Sequence, residues 1–311
     1  VEIESPFEGE GSWLRCALHA HTTNSDGQLA PAHLAAHYAR AGYDVLCITD
    51  HWVRTSERDV DGMLVIPGAE LNATLEGSGS DAHVLALGLQ ADPVDPGRRF
   101  PNLQETVDWI LAHGGLPFLA HPYWSGLRLG EFAACRGLLG LEVYNAACEL
   151  EIGRGLAAVH WDEALEAGER LFGLATDDCH FPGSDSGFGS VWVHARERSA
   201  EAVLEALRSG RFYSTNGPRI EQVRVEDGAV EVRCSPASSV GIVSARSAGA
   251  RANAGRTGYR NGVEALVADE NGLILSVRLR RRSWGMPYAR LEVSDRFGRR
   301  AWTNALWQDG G

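Results

Sequence analysis

Six times between residues 14 and 180, a short apolar run that reads as a β-strand sits against a histidine, an aspartate or a glutamate. The sets are His19-Ala20-His21 with Ser25-Asp26-Gly27, then Ile48-Thr49-Asp50-His51, then Ile66-Pro67-Gly68-Ala69-Glu70. They continue with Asp81-Ala82-His83, Phe118-Leu119-Ala120-His121-Pro122 and Ala175-Thr176-Asp177-Asp178-Cys179-His180. Most lie at the C-terminal edge of the strand. Strand positions two apart project to one face, so His19 and His21 are placed to share one ligand. One such pair is common on surfaces and in cores. Six sets of charged or imidazole groups at strand edges are too costly to bury without a partner, and a metal ion is the natural one. A fold is therefore required that gathers several strand ends.

The rest of the pattern is compatible with that requirement. Strands are predicted over Leu14–Leu18, Asp44–Ile48, Met63–Ile66, His83–Leu87, Pro117–Ala120, Leu141–Tyr144 and Leu171–Ala175. Helices are predicted over Ala32–Ala41, with Pro31 suited to the first turn, and over Leu103–Ala112, ended by Gly114-Gly115. Two more are expected over Gly155–Ala167 and Ala200–Ser209. This alternation predicts parallel βα units, open or closed on themselves. Near Gly217-Pro218 it gives way to period-two patterns at Val223/Val225, Val230/Val232, Ile242/Val243, Leu273–Leu279 and Ala289–Val293. Turn signals at Asp227-Gly228 and Asn271-Gly272 separate them. The expectation is a large α/β domain over residues 1–217 and a small antiparallel β domain over 218–311.

The 311 residues suffice for one large and one small core. A hydrophobic content of 44% with 23% charged residues is that of a soluble globular chain. No apolar run approaches the ~20 residues of a membrane span. Val1 to Trp13 has neither the basic flank nor the apolar stretch of an export signal. A net charge of −12 argues against a nucleic-acid surface, although bound cations can still present an anionic substrate with positive charge. The six cysteines form no CxxC pair, which reads as a reduced, cytoplasmic chain. Arg280-Arg281-Arg282 reads as a solvated face. Oligomeric state has no signature in the sequence.

Imidazole with carboxylate, and no cysteine apart from Cys179 in the motifs, suits Zn²⁺, Mn²⁺ or Fe²⁺ and argues against a sulfur-rich structural zinc site. The ordered set His19/His21 with Asp26, Asp50-His51, Glu70, His121 and Asp178/His180 resembles that of the PHP (polymerase and histidinol phosphatase) metal-dependent phosphoesterases, over residues 14 to about 215. Gly210-Arg211-Phe212-Tyr213-Ser214-Thr215 and Asp295…Gly298…Ala301-Trp302-Thr303-Asn304 are similar to the carbaryl-hydrolase-like metallohydrolase branch. The resemblance implies a distorted (β/α)7 barrel with two to three divalent ions. It implies a first ion held by His19, His21, Glu70 and Asp178, with Glu70 bridging to a second at His83 and His121. A third would be held by Asp26, His51 and His180. Asp26 stands where some relatives carry histidine, and His83 follows a Gly77-Ser78-Gly79-Ser80 approach.

The expected reaction is hydrolysis of a small phosphomonoester or cyclic phosphate by water activated between ions, with Glu70, Asp178 and Asp50 as candidate catalytic carboxylates. A carbamate or ester carbon is the alternative electrophile, and a metal-binding module without activity is the third possibility. Asp50 and Glu142 could orient ligands from behind. Arg154, in Gly153-Arg154-Gly155, suits phosphate, and Asn145 could reach substrate; an exposed arginine and a packed amide are the plain alternatives. Trp124 and Trp52 are candidate walls for a leaving group, the other tryptophans core anchors. His33, His37, His113, His160 and His194 read as surface or packing residues.

Overall fold

A computed structural model describes residues 7, 9–57, 59–75, 81–93, 100–226, 228–255, 262–280 and 287–307. Of the features singled out above, Gly77–Ser80, Asp227, Arg281, Arg282 and Trp284 lie outside the described residues. Two compact units are present, Gly11–Ser209 and the described parts of Val1–Glu10 with Gly210–Gly311. The division precedes the Gly217-Pro218 break because the strand over Phe212–Thr215 pairs with Arg300–Thr303 of the second unit.

The larger unit contains β1 (Ser12–Ala17), α1 (Pro31–Arg40), β2 (Val45–Ile48), β3 (Leu64–Thr74), β4 (Asp81–Leu87), α2 (Leu103–Ala112) and β5 (Leu116–Leu119). It continues with α3 (Leu129–Phe132), β6 (Gly140–Asn145), α4 (Ala146–Ile152), α5 (Ala158–Glu166), β7 (Phe172–Thr176), β8 (Ser190–Ala195) and α6 (Ala200–Arg208). The sheet order is β8-β1-β2-β3-β4-β5-β6-β7. The pairs β1–β2, β2–β3, β5–β6 and β6–β7 are parallel. Just past β1 and β7, Ala20 and Cys179 form a parallel bridge. There His21 N donates to Cys179 O (2.9 Å) and Asp178 N to His19 O (3.1 Å).

The buried runs Val45–Ile48 and Leu116–Leu119 carry no polar residue, as expected of strands covered on both faces. Helix α1 buries Leu34, Ala35 and Tyr38 against Leu46 and Ile48. Helix α2 is started by Asn102, whose side chain accepts from Glu105 N. Trp161 of α5 lies over Gly173 of β7, where a Cβ would stand 2.8 Å from the indole ring, so only glycine admits that contact.

The expectation of uniformly parallel strands fails at β4, which is antiparallel to both β3 and β5. Residues 75–80 are too short for the crossover of a dozen or more residues that a parallel return needs. β3 also runs on to Thr74, so Glu70 lies within a strand and not at its end. Strand β8, antiparallel to β1, and the short helices α3 and α4 were not expected. Helix α4 is seven residues long, too short to show a helical period, and stops at Gly153 in a left-handed turn (φ 70°).

The second unit is antiparallel β. Its strands are β9 (Phe212–Thr215), β10 (Ile220–Glu226), β11 (Ala229–Ala237), β12 (Ser239–Val243) and β13 (Gly249–Asn253). They are followed by β14 (Val263–Ala268), β15 (Ile274–Arg280), β16 (Tyr288–Ser294), β17 (Arg300–Thr303) and β18 (Leu306–Trp307). One path runs β13-β12-β16-β17-β9, with β18 on β16, and a separate four-stranded sheet runs β10-β11-β15-β14. Val232, Val240, Val277, Val293 and Trp302 are in its core. Glu292 is buried among arginines, 2.9 Å from Arg251 and 3.4 Å from Arg290. Among the described residues no helix is long and apolar enough to cross a membrane.

Candidate metal centre

The ends of β1 and β7 carry His19, His21 and Asp178 to a point that Glu70 reaches from inside β3. His19 Nε2 is 3.1 Å from His21 Nε2, 3.1 Å from Glu70 Oε2 and 3.1 Å from Asp178 Oδ1. His21 Nε2 is 3.2 Å from the same glutamate oxygen and 3.1 Å from the same aspartate oxygen. These four donor atoms all lie within 4.8 Å of one another, close enough to share one ion. Two imidazole nitrogens and two carboxylate oxygens converging in this way fit a divalent cation.

Glu70 divides its oxygens. Oε2 faces the first group, and also His51 Nδ1 at 3.4 Å. Oε1 faces His83 Nδ1 (2.8 Å) and His121 Nε2 (3.2 Å). His83 reaches this rim because β4 is reversed: the start of an antiparallel strand lies beside the ends of its neighbours. A third group forms around Asp26, whose carboxylate is 3.6 Å from His51 Nε2, 3.5 Å from His180 Nε2 and 3.7 Å from His21 Nδ1. His21, Asp26, His51 and His180 make one set of converging donors, His19, His21, Glu70 and Asp178 another, and His51, Glu70 and His83 a third. All nine residues expected to ligate metal thus lie in one continuous cluster.

Around the cluster, hydrogen bonds fix the rings. His19 Nδ1–H donates to Glu142 Oε1 (2.7 Å), which turns Nε2 toward the first group. The same buried carboxylate accepts from Thr176 Oγ1 (2.6 Å), His121 N (2.8 Å) and Asn145 Nδ2 (2.8 Å). His180 Nδ1–H donates to Asp178 O (2.9 Å), freeing Nε2 for Asp26. Trp52 Nε1–H donates to Asn72 Oδ1 (3.0 Å), and Asn72 Nδ2 then donates to His83 Nε2 (2.7 Å). Two donor residues have left-handed backbones, His121 (φ 28°) and Asp178 (φ 55°). Such a conformation costs on the order of 1–3 kcal/mol and persists only where its surroundings hold it. The bonds from His121 N and Asp178 N noted above do so.

Burial would push the Glu70 and Asp178 carboxyls up, but His19 and the other imidazoles hold both well below the usual range. Burial would likewise lower His21, but bonds to Asp178 and Glu70 raise it to about 9. His19 and His121 are raised against burial by the same carboxylates. His51 is lowered, chiefly by burial. Imidazoles held protonated by carboxylates are the charge pattern a divalent cation would replace, with release of protons.

The structure separates the remaining candidates. Asp50 does not touch an imidazole: it accepts from Thr22 N (2.6 Å), Thr22 Oγ1 (2.7 Å), Ser25 Oγ (2.8 Å) and Thr55 Oγ1. These bonds tie down the loop that presents Asp26. Gly27 belongs to that loop because a Cβ there would stand 2.2 Å from His21 O. Asn145, the candidate substrate contact, caps α4, accepting from Cys148 N (3.0 Å), and donates to Asp178 Oδ2 (3.1 Å). Arg154 is exposed, lies over the Tyr123 ring at 5.5 Å and is not among the residues lining the cavity. Trp52 is buried and stacks on Phe100, so it is no wall. Trp124 does line the cavity, edge-on to His121 with centroids 5.0 Å apart. Thr176 and Asn72 were not singled out. Each lies two residues from a donor in the same strand run, and that spacing was the available signal.

The cavity above the cluster has a volume of about 570 Å³ and is lined by Asp26, His51, Glu70, His83, His121, Asp178 and His180 on its metal side. No family model matches the chain, and a search of curated proteins finds no sequence match. Among solved structures, an amidohydrolase from Chromobacterium violaceum with bound sulfate and no metal is 17% identical. The match covers 55% of this chain and 89% of that one at a TM-score of 0.41, too low to carry weight. A two-domain protein from Bacteroides vulgatus ATCC 8482, containing a predicted PHP-like metal-dependent phosphoesterase, is 19% identical with a TM-score of 0.54. That match covers 94% of each chain, so the likeness in fold extends over nearly the whole length of both.

Proposed function

We propose that this chain is a metal-dependent hydrolase acting on small phosphate esters. The observation that carries the reading is Glu70, a buried carboxylate with one oxygen in each of two donor groups. A structural metal site uses four ligands and has no need of such a bridge. The seven strands β1–β7 read as a closed barrel, supported by the Ala20–Cys179 bridge between the two ends.

Divalent ions bound here, Zn²⁺, Mn²⁺ or Fe²⁺, would supply Lewis-acid activation of water and charge neutralisation at phosphoryl oxygens. His19, His21, Glu70 and Asp178 would hold one; His83 and His121 with Glu70 a second; Asp26, His51 and His180 a third. Glu70 and Asp178 are held deprotonated, which suits them to hold cations and makes them poor proton acceptors. Glu142 keeps His19 in the ligating tautomer, and Asn145 keeps Asp178 turned inward. Asp26, exposed at the mouth, is the carboxylate that faces entering solvent.

The test is elemental analysis of the purified chain combined with phosphate release from phosphomonoesters, cyclic phosphates and phosphodiesters, with an aryl carbamate in parallel. Two or three ions per chain, with phosphate release lost on chelation and in His121→Ala, is the expected result. Cleavage of the carbamate alone would keep the centre and overturn the phosphoester assignment.

A further inference from the structure

The walls of the cavity differ from its floor. Trp124, Leu150 and Phe181 are exposed apolar side chains at its sides, with Ala147 and Cys148 between them. Apolar walls are ordinary for a small-molecule site. What is unusual for a site receiving an anion is the charge around them. The chain contains no lysine, so arginine is the only side chain that could offer a fixed cation, and no arginine is among the described lining residues. The ionisable groups on the walls are both acidic, Glu151 and Asp185. Neither is idle: Glu151 accepts from Trp124 Nε1 (3.0 Å), and Asp185 Oδ2 accepts from His180 N and Phe181 N (2.8 Å each). Both carboxylates are thereby held beside the aromatic walls.

Resting on the reading that the floor takes a phosphoryl group, we infer that the substrate is a monoester of an uncharged alcohol with an apolar body. Among the described lining residues, only the floor would receive negative charge. A leaving group that carries a second anion, a carboxylate or a further phosphate, would be placed between Trp124 and Phe181, where the described walls offer it no cation and Glu151 repels it. Trp124 is the specificity residue: His121 packs against its ring, Glu151 holds its Nε1–H, and the apolar body of the leaving group lies along it.

Binding of non-hydrolysable phosphonates to the metal-loaded full chain tests this without depending on turnover. Phenylphosphonate and 4-carboxyphenylphosphonate would be compared by titration calorimetry in wild type, Trp124→Ala and Glu151→Gln. The uncharged ligand is expected to bind about tenfold more tightly, the order given by unit charges roughly 7 Å apart at an effective dielectric constant of roughly 30. Glu151→Gln, whose amide oxygen can still accept from the indole, should narrow that ratio about threefold or more. Trp124→Ala should weaken phenylphosphonate and leave methylphosphonate unchanged. Equal or tighter binding of the carboxylated ligand in wild type would overturn the inference, as would failure of both to bind. Preference for the uncharged phosphonate without phosphate release from phenyl phosphate would uphold the selectivity and remove the phosphoesterase assignment.

Discussion

Replacing Glu142 by glutamine changes one atom and tests how the centre is held. The carboxylate accepts four hydrogen bonds, two on each oxygen, from His19 Nδ1, Thr176 Oγ1, His121 N and Asn145 Nδ2. The amide nitrogen of the introduced glutamine must take one of the two oxygen positions. At the Oε2 position it would face two groups that can only donate, leaving buried N–H groups unpaired at about 1–3 kcal/mol. At the Oε1 position it would donate to His19 Nδ1, moving the ring proton to Nε2 and aiming an N–H where Glu70 and Asp178 need a lone pair. Both placements weaken the first donor group. Loss of a partner that orients a ligating histidine costs roughly 10–100-fold in metal affinity, or about 1.4–2.7 kcal/mol. The assay is competition with a chromogenic chelator for Zn²⁺, beside thermal unfolding of the chelated protein to separate folding from binding. Metal affinity within about twofold of wild type in a folded E142Q would refute the role given to Glu142.

Other outcomes follow from the same structure. Asp50→Ala should free the loop bearing Asp26 and lower metal stoichiometry by one ion, with the Glu70 groups still filled; unchanged stoichiometry on elemental analysis would contradict it. Gly173→Ala would press a methyl against Trp161 and should cost on the order of 1–3 kcal/mol in denaturant unfolding. In the β unit, Arg251, Arg290 and Arg300 hold the Glu292 carboxyl below its ordinary value against the opposing effect of burial. Its contribution is therefore full above the unfolded pKa and lost as pH falls through the lower folded one. Glu292→Gln should destabilise by roughly 1–3 kcal/mol at pH 7, and the gap from wild type should shrink below about pH 4.5. A gap constant with pH in urea titrations would show that the charge is not what matters.

The donors were legible because each carries its own signal, an ionisable group against an apolar run. Helix Leu103–Ala112 was legible because its apolar period and the Gly114-Gly115 stop agree. What escaped was set by partners. The direction of β4 depends on how few residues separate it from β3, and Val84–Leu87 reads alike in either direction. The extent of β3 depends on having β4 to pair with. Asn145 and Asp50 carried the right chemistry for contact with substrate or ligand. Each spends its hydrogen bonds on nearby backbone or side chains, and only the fold shows where those lie. Arg154 was a case of composition alone, a basic residue among glycines, and Tyr123 was the neighbour waiting for it.

The position of Glu70 inside β3 has a bearing on folding. Within the hairpin, Glu70 stands opposite Leu85 and Asn72 opposite His83. Side chains alternate between faces, so a slip of one residue in β3 would turn Glu70 outward and break its alignment with His19 and His21. A misaligned chain could not assemble the bridging carboxylate and would hold its ions poorly. Metal loading would therefore favour the one strand register in which the sheet and the centre agree.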